Sequence, residues 1–358
     1  MEKLLKVLYG GNRFFRKVGK EELIMSKSTL RRDLIVRRWV VVAEERSKRP
    51  SDFLKKNDKE LKICPFCPGN EQETPPEITA YRRKDSGLWY IRVVPNKFGA
   101  FSISENPLER KKIGIFREME ARGAHEVIIS TPQHEKRIYD FSPDEMYELL
   151  WVCKERTLDL KNDPLIESVF IFGNEGEDAG ASLEHEHWQL VGLPVIPKLI
   201  WDEIEACREC WDRDDNCAFC LLTQQEYGEK VRIVAENEHF FSLSKYDGRV
   251  PFETWILPLA HRPLFEDGGE KILRPLAEIL CETIQRIGAV LNRPDFNIFF
   301  HSAPLRDRTH DRYYHFHLEI LPILTRVAGF EWGTGFYINP TRSEDAAAFL
   351  RDIKIETK

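Results

Sequence analysis

Apolar positions along the chain fall into short runs punctuated by Pro, Gly and Asn, with two longer stretches at helical spacing. Leu34, Val36 and Val40, Val41 and Val42 around Trp39 predict a strand over 31–43, which the polar run through Arg46, Arg49 and Pro50 closes. Tyr90–Val94, stopped by Pro95 and Asn96, predicts a second strand, and His125–Ile129, stopped by Pro132, a third. Ser142-Pro143-Asp144-Glu145 has the form of a helix start, with an N-cap Ser, Pro in the first turn and a Glu placed to complete a capping box. The helix then runs through Leu149, Leu150 and Cys153 toward Leu158. Ser168–Phe172 reads as a buried strand, and a loop rich in Gly and acidic residues separates it from the apolar run Leu183–Val191.

The same order then recurs. Cys217-Ala218-Phe219-Cys220 echoes Cys64-Pro65-Phe66-Cys67, Val231–Asn237 echoes Ile91–Asn96, and Phe252–Pro258 echoes the strand at His125. Leu276, Ile279, Leu280, Ile284, Ile287 and Leu291 predict a second long helix. Asn297–Phe300 echoes the strand before Asn174, and His315-Phe316-His317-Leu318-Glu319 echoes His185-Glu186-His187-Trp188-Gln189. The repeat divides the chain into an N-terminal extension (1–27), a first unit (28–200) and a second unit (201–358). Short turns and one long helix per copy predict an α+β fold with a mainly antiparallel sheet and flanking helices.

With 42% hydrophobic and 31% charged residues, the composition is that of a folded globular chain. A net charge of -6 argues against nucleic acid as a partner. No apolar run approaches the ~20 residues of a membrane helix. The segment before Met25 is basic and its apolar pieces are broken by charges, unlike a signal peptide. It is either a terminal extension or the product of an upstream start, and the expected compartment is the cytoplasm.

Of eight Cys, six form the pairs Cys64/Cys67, Cys207/Cys210 and Cys217/Cys220. In a chain of this length such spacing points to metal ligands first and redox pairs second. Two thiolates from one turn leave a tetrahedral Zn²⁺ two ligands short, and His125 and His185 are the donors the sequence offers. The four thiols from Cys207 to Cys220 could also form a knuckle of their own, although only Cys217/Cys220 has a counterpart in the first unit. Cys153 and Cys281 fall on helix faces and are expected in the core. In a strand, His185, His187 and Gln189 share one face while Glu186 and Trp188 take the other, and three polar groups on an apolar strand ask for partners.

These motifs, taken in order, resemble the galactose-1-phosphate uridylyltransferase family, a branch of the histidine-triad superfamily. The resemblance runs from about Arg31 to the C-terminus. It rests on Cys64-Pro65-Phe66-Cys67-Pro68-Gly69-Asn70, Gly123-Ala124-His125-Glu126-Val127, Asn174 and Gly180-Ala181-Ser182 ahead of His185-x-His187-x-Gln189, Phe252–Pro258, and Gly329-Phe330-Glu331. It implies two tandem histidine-triad-like units, with His187 as nucleophile and a zinc held by Cys64, Cys67, His125 and His185. Gln189 and Ser182 are implied at the reacting phosphate, and Asn174, Gly180, Asn96, Arg46, Arg49 and Glu331 in substrate binding. A second metal, Zn or Fe, is implied at Glu203, His301, His315 and His317, with Cys217/Cys220 as the other possible seat. Glu319 stands where Gln189 stands in the first unit, and a carboxylate there would repel phosphate, so one nucleophilic site is expected.

The implied activity moves a nucleoside monophosphate between a nucleotide sugar and a hexose 1-phosphate through a nucleotidyl-histidine, in a homodimer, as in UDP-glucose:hexose-1-phosphate uridylyl transfer in galactose metabolism. Two departures bear on this. Glu186 and Trp188 replace the family's usual Pro and small residue, and Glu186 could raise the pKa of a neighbouring His. The stretch Gly329–Asn339 lacks the family's sugar-binding Gln and more resembles members similar to ADP-glucose phosphorylases. The alternatives are therefore ADP-sugar phosphorolysis, or a zinc- and nucleotide-binding protein without catalysis.

Overall fold

The structure is a computed structural model that describes residues 28–34, 37–42, 63–103 and 108–355. The proposed extension 1–27, Val36, Arg46, Arg49 and Pro50 lie outside the described residues.

The run predicted as one strand over 31–43 is two. β1 (Thr29–Arg32) and β2 (Trp39–Val42) pair as a hairpin, closed by Asp33 N donating to Arg38 O at 2.8 Å, with Arg37 at φ 61°. Asp33 and Arg38 flank the turn, Leu34 stands exposed in it, and across the hairpin Leu30 faces Val41 and packs with Trp39 in a small core. With β5 (Arg110–Ile113) and β6 (Phe116–Glu120) they make a four-stranded sheet ordered β2-β1-β6-β5.

The remaining strands form one ten-stranded antiparallel sheet. The first unit supplies β3 (Thr79–Arg82), β4 (Trp89–Pro95), β7 (Ala124–Ile129), β8 (Ser168–Glu175) and β9 (His187–Leu193). The second supplies β10 (Ile233–Glu236), β11 (Phe240–Ser244), β12 (Thr254–Pro258), β13 (Phe296–His301) and β14 (His317–Pro322). The order β10-β11-β12-β14-β13-β8-β9-β7-β4-β3 reads the same from either end once β3 is matched with β10, β4 with β11, β7 with β12, β8 with β13 and β9 with β14. β8 and β13 join the halves. The likeness of Val231–Asn237 to Ile91–Asn96 therefore does not mark equivalent strands, since β4 corresponds to β11. Short apolar strands ending at Asn look alike, and neighbour order, not composition, tells them apart.

Helix α1 (Pro143–Leu160) starts as predicted: Glu145 N donates to Ser142 Oγ at 3.3 Å and Ser142 N to Glu145 Oε2 at 2.9 Å. It packs with α4 (Glu270–Leu291) on one face of the large sheet, around Leu149, Leu150, Cys153, Leu280, Cys281 and Ile284. α2 (Lys198–Asp214) and α3 (Ala218–Glu229) cover the other face of the second half, around Ile204, Cys207, Phe241 and Tyr314. Among the described residues, no helix is long and apolar enough to cross a membrane.

Trp188 decides which way β9 faces. Its side chain is 1% exposed, edge-on to Phe300 in the α1/α4 core. Burying an indole of this size stabilises by roughly 4–6 kcal/mol at most. The opposite strand makes room with Gly173, where a Cβ would come within 2.8 Å of the indole Nε1. With Trp188 inward, His187 and Gln189 take the other face.

Candidate active site

The site lies where β9 begins. His185 precedes the strand, and His187 is its first residue. His187 Nδ1 donates to the carbonyl of His185 at 2.7 Å, which leaves Nε2 as the nitrogen with the free electron pair. Burial lowers the pKa of His187, against an opposing pull from its bond to His185 O and the charge of Glu175, so the ring is neutral. Phe66, from the Cys64–Cys67 turn, packs edge-on against the His187 ring with centroids 5.2 Å apart and limits its rotation.

That turn also carries two thiols. Cys64, Cys67, His134 and His185 bring one donor atom each within 4.8 Å of one another. Cys67 Sγ lies 3.4 Å from His134 Nδ1 and 3.7 Å from His185 Nδ1, and Cys64 Sγ lies 3.6 Å from His185 Nδ1. Tetrahedral zinc with ordinary Zn–S and Zn–N bonds separates S from N by about 3.6 Å, so the donors fit that ion. His185 Nε2 donates to Thr131 O at 2.7 Å, which directs Nδ1 to the thiols.

His134, not His125, completes this group. Strand register is the reason. In the β7–β9 ladder Ile129 faces His187, and His125 faces Val191 four residues further on. At 3.3–3.4 Å per residue His125 lies about 13 Å along the sheet from the metal end. The chain reaches that end only after β7 stops and Pro132 turns it, which delivers His134. His125 meets Gln189 instead. Ala100 N donates to its Nδ1 at 3.0 Å, so Nε2 carries the proton and donates to Gln189 Oε1 at 2.8 Å. Asn96 Nδ2 donates to the same oxygen at 3.2 Å. With its oxygen doubly held, Gln189 presents its NH2 away from them. His125 and Asn96 thus stand behind Gln189, a relation that residue spacing alone does not disclose.

Asn174 lies in β8, and Gly180 and Ser182 lie in the loop before His185, with Gly180 at φ 91°. Glu331 lies in α5 (Gly329–Thr334), where its carboxylate accepts from Ala328 N at 3.0 Å and caps the helix. Around it Phe330, Phe336, Ile338 and Trp332, the last 80% exposed, stand open to solvent.

Glu186 is buried beside Glu175, which pairs with Arg137. Burial first, and the Glu175 charge second, push the Glu186 carboxyl well above the usual carboxylate range. The negative charge acting on His187 comes from Glu175.

The second unit holds two further clusters where one was expected. Cys217, Cys220, His261 and His315 converge, as do Glu203, His301, His317 and Glu319. His315 is thus withdrawn from the set with Glu203, His301 and His317, and Glu319 takes its place. His315 precedes β14, so strand alternation does not bind it to the face of His317. Its Nε2 lies 3.3 Å from Cys220 Sγ and 2.8 Å from His261 Nδ1, and burial lowers its pKa to about 3, a neutral donor. Two thiols and two imidazoles again suit zinc.

In the other cluster His301 Nδ1 lies 2.7 Å from Glu203 Oε1, and His317 Nε2, buried without a hydrogen bond, lies 3.5 Å from Glu319 Oε1. Tyr314 donates to Glu203 Oε2 at 2.6 Å, and Arg249 pairs with Glu319. Mixed N/O donors of this kind suit Fe or Zn. Cys207 and Cys210 join neither group. They are buried in α2, with Cys207 in its apolar core and Cys210 donating to Asp214 at 3.6 Å.

A palindromic sheet with a His-x-His-x-Gln motif leading into β9 and a His-x-His-x-Glu motif leading into the matching β14 defines the class of protein. The family model described as galactose-1-phosphate uridyl transferase, N-terminal domain, matches residues 8–197, and the chain belongs to that family. It is accordingly a nucleotidyltransferase. Among its relatives, an ADP-glucose phosphorylase of Arabidopsis thaliana is 32% identical over 91% of this chain and 93% of its own. A galactose-1-phosphate uridylyltransferase of Thermotoga maritima is 28% identical over 91% of this chain and 99% of its own. A crystal structure of an ADP-glucose phosphorylase from Arabidopsis thaliana with bound ADP-glucose superposes with a TM-score of 0.73 at 31% identity, covering 91% of this chain and 99% of that one.

Proposed function

We propose that the protein transfers a nucleoside monophosphate from a nucleotide sugar to a hexose 1-phosphate by way of His187, in uridylyl transfer of the UDP-glucose type. The observation that carries this reading is the 2.7 Å bond from His187 Nδ1 to the His185 carbonyl, which frees Nε2. Nε2 attacks the α-phosphorus, and the P–N bond forms as the P–O bond to the sugar phosphate breaks. The sugar 1-phosphate leaves with the electron pair. An acceptor phosphate oxygen then attacks the same phosphorus and the P–N bond breaks, restoring neutral His187.

Gln189 offers its NH2 to the phosphoryl oxygens, with Asn174, Gly180 and Ser182 beside it in the proposed phosphate site. Zinc bound by Cys64, Cys67, His134 and His185 would act structurally, pinning His185 and so the carbonyl that orients the nucleophile. We also propose a homodimer. The apolar side chains around Glu331 support it, being exposed in the single chain.

ADP-sugar phosphorolysis is the second reading, supported by the 32% identity to the ADP-glucose phosphorylase of Arabidopsis thaliana. The test is incubation with labelled UDP-glucose or ADP-glucose, followed by mapping of an acid-labile adduct. A uridylyl adduct on His187 supports the first reading, and an adenylyl adduct alone supports the second. No adduct with either leaves a binding protein.

A further inference from the structure

The loop that carries Gly180 and Ser182 belongs to the first unit, yet it is held from the second. Asp295, ahead of β13, accepts from Asp178 N at 2.7 Å through Oδ2. Gly176, at φ 86°, presses against the same carboxylate, and a Cβ there would overlap it.

Two residues further on, Asn297 faces Asn174 across the β8–β13 ladder that joins the units. Its Nδ2 donates to Ala179 O at 2.8 Å and to Asn174 Oδ1 at 2.9 Å. These two bonds settle two amide orientations in turn. A backbone carbonyl only accepts, so Ala179 decides which end of the Asn297 amide is nitrogen. That nitrogen in turn requires an oxygen from Asn174. The Asn174 NH2 is left turned toward the loop, with its Nδ2 3.9 Å from where a side chain at Gly180 would begin.

We infer that Asn297 is a positioning residue for nucleotidyl transfer: it holds the Asn174 amide with its N–H groups, not its oxygen, toward the phosphates of the nucleotide. The inference rests on the reading of Asn174 as a phosphate contact. An amide free to turn presents oxygen or nitrogen with similar ease, and oxygen toward a phosphate repels it. The second unit, whose own strand carries Glu319 in place of Gln189, thereby serves the single nucleophilic site.

The test is a double-mutant cycle over Asn174→Ala and Asn297→Asp, with Asn297→Ala as a milder variant. It is read as the rate of His187 nucleotidylation by UDP-glucose and by ADP-glucose, with melting curves to verify folding. Asn297→Ala lets Asn174 turn and should slow transfer about tenfold. Asn297→Asp offers only acceptors, recruits the Asn174 NH2 to itself and turns the Asn174 oxygen outward. It should slow transfer about 100-fold, on the scale of losing one donor to a developing charge. In the Asn174→Ala background the Asp change should cost less than about threefold more, because nothing remains to turn.

A full further loss in that background would mean that Asn297 acts by holding the loop through Ala179, and would overturn the inference. So would an Asn174→Ala variant as fast as wild type while the wild-type adduct still forms, an outcome that leaves the nucleotidyl reading standing. If wild type forms no adduct at all, the nucleotidyl reading fails and this inference goes with it.

Discussion

Removing His134 and removing His125 should have opposite signatures. His134 Nδ1 lies 3.4 Å from Cys67 Sγ and is one of four converging donors. Structural zinc sites contribute roughly 10–16 kcal/mol of apparent binding energy, so one ligand in four is worth about 3 kcal/mol, or roughly 100-fold in affinity. His134→Ala should therefore lose one zinc ion per chain to a graded chelator that leaves wild type loaded, and should melt earlier. His125 makes a 2.8 Å bond to Gln189 Oε1 and lies about 13 Å from the metal end. Its loss removes about 1–1.5 kcal/mol of orientation from the Gln189 amide, about tenfold in the transfer rate, with zinc untouched. Elemental analysis after dialysis and single-turnover nucleotidylation separate the two. Zinc lost from His125→Ala but retained by His134→Ala would refute the register argument and restore His125 as a ligand.

Three further outcomes follow from the geometry. His187→Ala should abolish the adduct while the melting temperature stays close to wild type, and unfolding would make the residue structural. Cys217→Ser should lower zinc content by one ion per chain and leave His187 nucleotidylation within about threefold of wild type, since the second cluster does not touch the nucleophile; unchanged zinc would count against a metal there. Trp188→Ala should destabilise by about 3–5 kcal/mol, measured by denaturant midpoint, because the indole is 1% exposed against Gly173 and Phe300. A loss under 1 kcal/mol would mean that β9 is not anchored through that side chain.

The sequence alone determined what is local. Ser142, Pro143 and Glu145 announced the start of α1 because a capping box is made within four residues. The faces of His187, Trp188 and Gln189 were legible because strand side chains alternate whatever the strand's neighbours are. The paired Cys-x-x-Cys and His-x-His motifs told of two related units, since similar residues recur in similar order.

Tertiary structure alone decided who meets whom. His125 and His134 are both histidines a short way past Gly123, and composition does not separate them. The β7–β9 register does, sending one to Gln189 and the other to Cys67. His315 left Glu203 for Cys220 because it lies just outside β14, where alternation no longer applies. Asn297 reaches Asn174 only because β8 and β13 are neighbours at the centre of the sheet. Local rules come from bonds within a few residues. Register and strand order are set by the burial of whole faces, a sum over distant segments that no short stretch of sequence contains.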